Sequence, residues 1–227
     1  MKLQKETKLH GRWYNDACGT AFGLELLGER WSMLVVRELM LGPRRFSDLR
    51  ASLPGISAKT LTERLTMFEE AGMLVRRRFV SPVPVQAYEL TEWGYRAEPV
   101  LQELGRWAAM SPGHDPLLPL SPVSFMLSLR TMFDPEKAKG IEARIGFDIG
   151  GETFLARMKD GALPIRRDDL DEAQAVFEVP TAPVLAGLFY ANVPVEELER
   201  EARLTIRGDR KLALRFADIF ELPEKLG

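Results

Sequence analysis

The stretch GISAKTLTERLTMFEEAGMLVRRR, from Gly55 to Arg78, decides the fold of the first half of this chain. Ser57 is a typical N-cap residue and Gly72 is typical of a left-handed C-cap, so we predict a helix between them. The predicted buried stripe of this helix consists of Leu61, Leu65 and Phe68, which recur at helical spacing. The residues after Gly72 are apolar and then basic, which predicts a strand that ends in three arginines.

Polar side chains occupy the opposite face of the predicted helix, because successive residues are rotated by about 100°. These are Lys59, Thr62, Glu63 and Thr66, flanked by Thr60 and Met67. Such side chains reach base edges in the major groove of DNA, whose width of roughly 12 Å admits one helix. We expect Lys59 to contact guanine or a phosphate, Glu63 to accept from a cytosine amine, and Arg64 to contact a phosphate or another part of the protein. The alternative is an ordinary surface helix with solvated charges.

A β-hairpin is predicted directly after this helix. Its strands run from Met73 to Val80 and from Gln86 to Thr91, and the turn-rich tip between them is Ser81-Pro82-Val83-Pro84. The first strand carries Arg76, Arg77 and Arg78, which we expect to pair with phosphates or to enter a minor groove. A solvated strand is the alternative. It is the weaker one here because the arginines follow the candidate recognition helix.

Two more helices are predicted upstream. One runs from Trp31 to Leu41 and is ended by Gly42-Pro43, and a shorter one runs from Phe46 to Leu53. Arg44 and Arg45 stand at the start of the shorter helix, where we expect them to contact the DNA backbone. The order helix, helix, turn, helix, hairpin is that of a winged helix-turn-helix, which predicts double-stranded DNA as a partner.

The segment from Cys18 to about Ala109 resembles the HxlR-type family of bacterial winged-helix transcriptional regulators. The resemblance rests on the runs LMLGPRRFSDL, PGISAKTLTERL and YELTEWG, the last followed by a long helix. It implies a homodimer that binds a pseudo-palindromic operator, with repression as the expected action. The residues expected at the DNA are Ser57, Lys59, Thr60, Thr62, Glu63, Arg64, Thr66, Arg44, Arg45, Arg76, Arg77 and Arg78.

The resemblance also implies a dimer interface formed by the helix from Thr91 to Ala109 and the N-terminal segment. The residue pattern supports this independently, because the helix is more apolar than one small wing could cover. Its apolar residues are Pro99, Val100, Leu101, Leu104, Trp107 and Ala108.

Cys18 is the only cysteine of the chain, so no intrachain disulfide is possible and a reducing cytoplasm is the expected location. Asn15 or Asp16 would cap a helix running toward Leu27, with Cys18 in its first turn. The positive end of a helix lowers a thiol pKa and raises its reactivity. The resemblance implies a redox or electrophile sensor, since a cysteine at this position has that role in some family members. The alternative is a small buried residue at the dimer interface.

Composition limits what the rest of the chain does. Its 227 residues exceed a winged helix by roughly one domain, and its apolar fraction of 45% is that of an ordinary globular protein. No apolar run approaches the roughly 20 residues of a membrane span, and the N-terminus lacks an apolar signal core. His10, His114 and one thiol offer no metal-ligand spacing, and no catalytic motif or cofactor loop stands out. We therefore expect neither an enzyme, nor a cofactor, nor a membrane partner.

Charge is divided unevenly along the chain. Residues 1–113 carry 16 Lys and Arg against 13 Asp and Glu, a net charge of +3, whereas residues 114–227 carry 15 against 20, a net charge of −5. The basic excess lies in the half expected to contact phosphates. The acidic half would be repelled by DNA.

A proline-rich segment from Ser111 to Pro122, SPGHDPLLPLSP, predicts an extended linker between two domains. We therefore predict a DNA-binding and dimerisation domain over residues 1–110, a linker over 111–122 and a second domain over 123–227. The second domain is predicted to be α+β, so the whole chain is α+β. Its predicted elements are a helix over 123–133, strands over 143–149, 152–158, 162–166 and 174–179, helices from Thr181 and near Pro194, a strand over 204–207 and a closing helix over 209–220.

This order resembles the sterol carrier protein type-2 fold. The resemblance rests on AVFEVPTAPVLAGLFYANVP and ARLTIRGDRKLALRFADIF, although Glu201-Ala202 stands where that family commonly has glycine. It implies an apolar tunnel for a hydrophobic small-molecule effector. The candidate ligand-binding residues are Phe147, Phe154, Phe177, Leu185, Phe189, Phe216 and Phe220. The alternative is that they are simply packed core residues. A lipid or hydrophobic-ligand carrier is the competing function, but it leaves the recognition helix and wing unexplained.

Overall fold

The computed structural model describes residues 14–80, 85–116 and 118–226. The chain divides into two compact units, one ending at Glu98 and the other starting at Pro99. The division lies ahead of the linker predicted at residues 111–122, and it places residues 99–110 with the second unit. The predicted hairpin tip, Ser81 to Pro84, lies outside the described residues, as does most of the N-terminal segment expected at the dimer interface.

The first unit has the predicted order of helix, helix, turn, helix and hairpin. Its elements are α1 (Gly19–Leu27), α2 (Ser32–Leu39), α3 (Phe46–Ser52), α4 (Ala58–Glu70), β1 (Leu74–Phe79), β2 (Val85–Leu90) and α5 (Glu92–Tyr95). The strands pair antiparallel, with Leu74 opposite Leu90 and Phe79 opposite Val85. Apolar side chains from α2, α3 and α4 form the core of this unit, and Val36, Leu49 and Leu61 are fully buried.

Both predicted ends of α4 are confirmed. The Ser57 side chain accepts a hydrogen bond from the backbone N–H of Thr60 at 3.0 Å. At the other end Gly72 has a φ of +76°, and its N–H donates to the carbonyl of Glu69 at 3.1 Å. The N–H of Met73 donates to the carbonyl of Phe68 at 2.8 Å, which completes a Schellman motif.

The long helix predicted from Thr91 to Ala109 is wrong as a single element. The structure has α5 and then α6 (Glu98–Ala109), with Arg96 and Ala97 between them. Pro99 explains the break, because proline has no N–H to donate to the carbonyl four residues earlier and its ring collides with that carbonyl. The predicted start is right, since Thr91 caps α5 by accepting from the N–H of Gly94 at 3.2 Å.

The second unit is α+β, as predicted. Beyond α6 it contains α7 (Pro122–Met132), β3 (Ala143–Ile149), β4 (Glu152–Met158), β5 (Ile165–Arg167), β6 (Ala175–Val179), α8 (Ala182–Tyr190), α9 (Val195–Arg200), β7 (Thr205–Gly208) and α10 (Arg210–Ala217). The sheet order is β5-β4-β3-β6-β7, with β3 and β6 parallel and the other neighbours antiparallel. Gly150 and Gly151 turn β3 into β4 with φ values of +61° and +88°, which only glycine adopts readily.

Among the described residues, we find no helix with the length and apolarity needed to cross a membrane.

Candidate nucleic-acid interface

The first turn of α4 presents two paired hydroxyl groups. Ser57 Oγ lies 2.9 Å from Thr60 Oγ1, in addition to capping the helix. Thr62 Oγ1 donates to the carbonyl of Ala58 at 2.9 Å. The hydroxyl hydrogen of Thr62 and one of the two hydroxyl hydrogens of Ser57 and Thr60 are used within the helix, so these residues serve first to stabilise the start of α4. Their remaining lone pairs stay open to outside donors.

Lys59 and Glu63 are the charged side chains on the outward face of α4. The Lys59 side chain is 87% exposed and that of Glu63 is 45% exposed. Lys59 Nζ lies 3.9 Å from a Glu63 carboxylate oxygen, a loose pair one helical turn apart. An exposed pair of this kind stabilises a helix by roughly 0.3–0.5 kcal/mol, so both groups can exchange it for an outside partner. Thr66, on the same face, is half-buried.

The inward face of α4 includes one residue more than the sequence predicted. Leu61, Leu65 and Phe68 are buried as expected. Met67, which was placed beside the polar face, is buried too. Arg64 is only 17% exposed, and its guanidinium lies 3.9 Å from the carboxylate of Glu29. Of the two contacts considered for Arg64, the structure has the one within the protein.

The three arginines of β1 point to two different faces of the hairpin. Residues 74, 76 and 78 share one face, because side chains alternate along a strand. Leu74 is buried on that face, and Arg76 reaches Glu69 of α4 at 2.9 Å with its guanidinium 5.7 Å from the Tyr88 ring centre. This is therefore the face toward α4, and Arg78 lies on it farther out.

Arg77 points to the other face of the hairpin and is held there by an acidic neighbour. Its Nε donates to a carboxylate oxygen of Glu89 at 2.6 Å. In the part of the chain that the structure describes, Arg78 and Arg45 have no carboxylate within ion-pair distance. Glu69 and Glu89 were not predicted from the sequence to be part of this surface. They are the ion-pair partners of Arg76 and Arg77.

Arg44 and Arg45 are neighbours with opposite environments. Arg45 is exposed at the N-cap position of α3, as a phosphate contact requires. Arg44 is only 6% exposed, and its guanidinium donates to Ser52 Oγ at 2.8 Å. Its backbone also forms a bridge with Tyr88 of β2, through hydrogen bonds of 2.8 and 2.9 Å. We correct the expectation for Arg44 accordingly: this residue ties α3 to the wing, because a side chain so buried has little surface left for DNA.

Cys18 occupies the N-cap position of α1, one residue before the helix begins, where the sequence predicted the first turn. Asp16 accepts a hydrogen bond from the Cys18 N–H at 2.9 Å. The thiol is exposed, and hydrogen bonds from Thr20 and then Ala21 lower its pKa below the ordinary value. A lowered pKa was expected from the helix end. The sulfur meets solvent in the single protomer, which fits both predictions for Cys18, because a residue of a dimer interface is also exposed when the protomer stands alone.

Helix α6 carries an uncovered apolar stripe. Val100, Leu104 and Trp107 are all exposed, and Trp107 is 70% exposed. Residues spaced by three and four lie on one helix face. A stripe of this kind marks a surface that meets another apolar surface.

The seven candidate ligand-binding residues of the second unit are all core residues. None of them is more than 5% exposed: Phe147, Phe154, Phe177, Leu185, Phe189, Phe216 and Phe220. Five of the six rings pack against one another. Phe147 stacks on Phe177 at 5.5 Å between ring centres, and Phe216 lies 5.0 Å from Phe220. Phe154 instead lies under the Arg167 guanidinium, at 4.8 Å. The structure therefore has the packed arrangement that was the alternative to a tunnel.

Known helix-turn-helix proteins are similar to the first part of the chain. Residues 26–115 match a family model described as HxlR-like helix-turn-helix. The HTH-type transcriptional regulator YodB of Bacillus subtilis is 42% identical over 84 residues, which cover 37% of this chain and 74% of that protein. An uncharacterized HTH-type transcriptional regulator of the same organism, YkvN, is 36% identical over 91 residues, which cover 40% of this chain and 77% of that protein. The solved structure of the reduced form of YodB is similar with a TM-score of 0.40 and 33% identity, over 44% of this chain and all of that chain.

Proposed function

This chain belongs to the HxlR-like helix-turn-helix family, and on that premise we propose that it is a dimeric, sequence-specific DNA-binding transcriptional regulator that acts as a repressor. The observation that carries the proposal is the exposed face of α4, with Lys59 and Glu63 projecting from a helix whose other face is fully packed. A helix presented in this way fits a major groove.

Base recognition is assigned to Lys59 and Glu63. An ammonium group donates to the O6 and N7 atoms of guanine, and a carboxylate accepts from the N4 amine of cytosine. The two side chains are one helical turn apart, about 5.4 Å along the axis, which spans one to two base pairs. We therefore expect a guanine and a cytosine close together in each half-site. In a binding-site selection, Glu63→Gln should lose the preference for that cytosine while still binding DNA.

Phosphate contacts are assigned mainly to Arg45 and Arg78. Both are exposed, and among residues 14–80, 85–116 and 118–226 neither has a carboxylate partner to release when it meets a phosphate. Arg76 and Arg77 would first release Glu69 and Glu89, which reduces their net contribution. Arg44 and Arg64 support the surface from inside the protein.

A titration of DNA binding against salt tests this surface. With DNA from the region upstream of the protein's own gene, Arg78→Ala should reduce the slope of log K against log salt by about 1, because one phosphate contact is lost. Lys59→Ala should weaken binding as well. Lys211→Ala is the matched control, since Lys211 is an exposed helical lysine of the second unit. Equal binding by all three variants and the wild type would show that the DNA surface lies elsewhere.

We further propose that the second unit is a sterol carrier-like domain that responds to a hydrophobic effector. Support comes from its order of elements and from an aromatic cluster shared by β3, β6, α8 and α10. Because the rings already contact one another, an effector has to part them. Mass spectrometry of solvent extracts, together with melting temperatures in the presence of apolar dyes, tests this. Extracts without ligand and an unchanged melting temperature would contradict it.

A further inference from the structure

The last described residues of the chain lie against the end of α6. Lys225 Nζ donates to the carbonyl oxygens of Ala109, Ser111 and His114, at 3.0 Å in each case. One residue later, the N–H of Leu226 donates to the carbonyl of Met110 at 2.8 Å. These contacts join segments more than 110 positions apart in the sequence and lie entirely within the second unit.

Lys225 uses all of its hydrogen-bond donors in this contact. An ammonium group has three N–H donors, and each of them has a carbonyl acceptor here. Ala109 is the last residue of α6, where unpaired carbonyls and the negative end of the helix dipole favour a cation. The end of α6 is thus a built site for a positive charge, and Lys225 fills it.

A second contact fixes α6 one turn earlier. The guanidinium of Arg106 donates to the carbonyl of Thr131, in the last turn of α7, at 2.5 Å. The exposed side chains of Leu104 and Trp107 belong to the same stretch of helix. The helix that carries the predicted dimer face is therefore fixed by two other parts of the second unit, α7 and the segment around Lys225.

We propose that the tail from Leu222 to Leu226 is an intramolecular clamp on α6, through which the second unit sets the position of the dimerisation helix. The inference rests on the proposed function for the dimer, and on the sequence prediction for the place of α6 at its interface. The clamp itself rests only on the contacts of Lys225 and Leu226. Closing it orders the end of α6, and opening it frees that end together with the neighbouring Trp107.

His114 makes the clamp sensitive to pH. Its Nδ1 lies 3.4 Å from Lys225 Nζ, so protonating the ring would place a second positive charge beside the ammonium group. Burial first, and the charge of Lys225 second, lower the pKa of His114, while Asp115 acts in the opposite direction. The closed clamp therefore binds fewer protons than the open one. The contribution of His114 to closing is complete above the ordinary histidine pKa of about 6.5 and is lost as the pH falls through the lowered pKa.

Hydrogen exchange of the full-length protein tests the clamp directly. Lys225→Met keeps an unbranched side chain that is one atom shorter and removes its charge. We expect amide exchange at the end of α6 and in the tail to become at least about tenfold faster, because these hydrogen bonds then open locally. The same segments should exchange faster at pH 5.5 than at pH 7.5 after correction for the intrinsic rate. Lys225→Arg should restore most of the protection, and Lys211→Met is the control.

The dimer dissociation constant, from sedimentation equilibrium, tests the coupling. We expect Lys225→Met to raise it severalfold and Lys211→Met to leave it unchanged. Unchanged exchange in Lys225→Met would overturn the clamp, even if dimerisation and DNA binding stand. Faster exchange with an unchanged dissociation constant would overturn the coupling. A wild-type protein that stays monomeric would instead contradict the proposed function and leave the exchange result to decide the clamp.

Discussion

The thiol of Cys18 illustrates how much one position depends on its local backbone. It stands at the N-cap of α1, beside Thr20 and Ala21 of the first turn, whose hydrogen-bond donors act on the thiol. These donors stabilise the thiolate more than the thiol, which is why the pKa of Cys18 is lowered. A larger thiolate fraction near neutral pH makes the sulfur a better nucleophile toward oxidants and electrophiles.

We expect Cys18 to react with iodoacetamide at pH 7 faster than a cysteine in an unstructured peptide. Unfolding the protein in urea should remove the advantage, since it depends on the helix end. If Cys18 is a sensor, diamide should change operator binding by the wild type and leave Cys18→Ser unaffected. An equal response of both proteins would rule out sensing by this thiol.

The different environments of Arg44 and Arg45 could not be predicted from the sequence. Arg44 and Arg45 are identical residues next to each other in the sequence. In the structure Arg44 is buried against Ser52, whereas Arg45 is exposed. The deciding partner, Tyr88, comes from a strand more than 40 residues away. Ser57 and Gly72 could be predicted correctly because a helix cap depends only on neighbouring residues. Long-range pairing has no such local signal.

At the scale of a single helix, α4 depends on the left-handed residue that ends it. Gly72 has a φ of +76°, a conformation that costs other residues roughly 1–2 kcal/mol. Gly72→Ala should therefore lower the free energy of unfolding by about that amount, measured by urea denaturation. Gly23→Ala is the matched control in the same unit. Gly23 lies inside α1 with open space around an added Cβ, so this change should be neutral or stabilising by up to about 1 kcal/mol. A loss of stability in the control alone would contradict the assignment of both positions.

Elements of the second unit were predicted well where the pattern was strong. The alternating strands β3 and β4 appear at the predicted positions, because alternation and a glycine turn are local signals. The short strand β5 begins at Ile165, later than expected, since its pairing with β4 decides its position. The aromatic residues could not be assigned to core or tunnel from the sequence. Both uses need the same apolar spacing, and only the contacts between the rings separate them.

The two halves of the chain carry net charges of opposite sign. The net charge is +3 over residues 1–113 and −5 over residues 114–227, although the chain as a whole carries only −2. The small net charge of the whole chain is therefore compatible with DNA binding, because residues 1–113 are basic. Helix α6 lies almost entirely in the second unit, yet it carries the exposed apolar stripe that we expect at the dimer interface. This arrangement makes dimerisation the natural step at which a signal in the second unit would act.

The dimer prediction concerns the stripe of Val100, Leu104 and Trp107. Leu104 is 44% exposed, so burying the rest of its side chain contributes about 1 kcal/mol, and a two-fold axis counts each change twice. Leu104→Ser should therefore weaken the dimer by about 2 kcal/mol, roughly thirtyfold in the dissociation constant. Trp107→Ser should act in the same direction and more strongly.

Leu118→Ser is the matched control for the stripe, because Leu118 is an exposed leucine of the same unit outside α6. Sedimentation equilibrium measures the dissociation constant, and a gel shift with the operator measures the consequence. Each Leu104→Ser protomer retains its α4 and wing, so it should still bind a half-site weakly. The steep concentration dependence of a dimer on a pseudo-palindromic operator should disappear. If Leu104→Ser and Trp107→Ser dimerise as tightly as Leu118→Ser does, the stripe on α6 is not the dimer surface, and the clamp on that helix acts on something other than assembly.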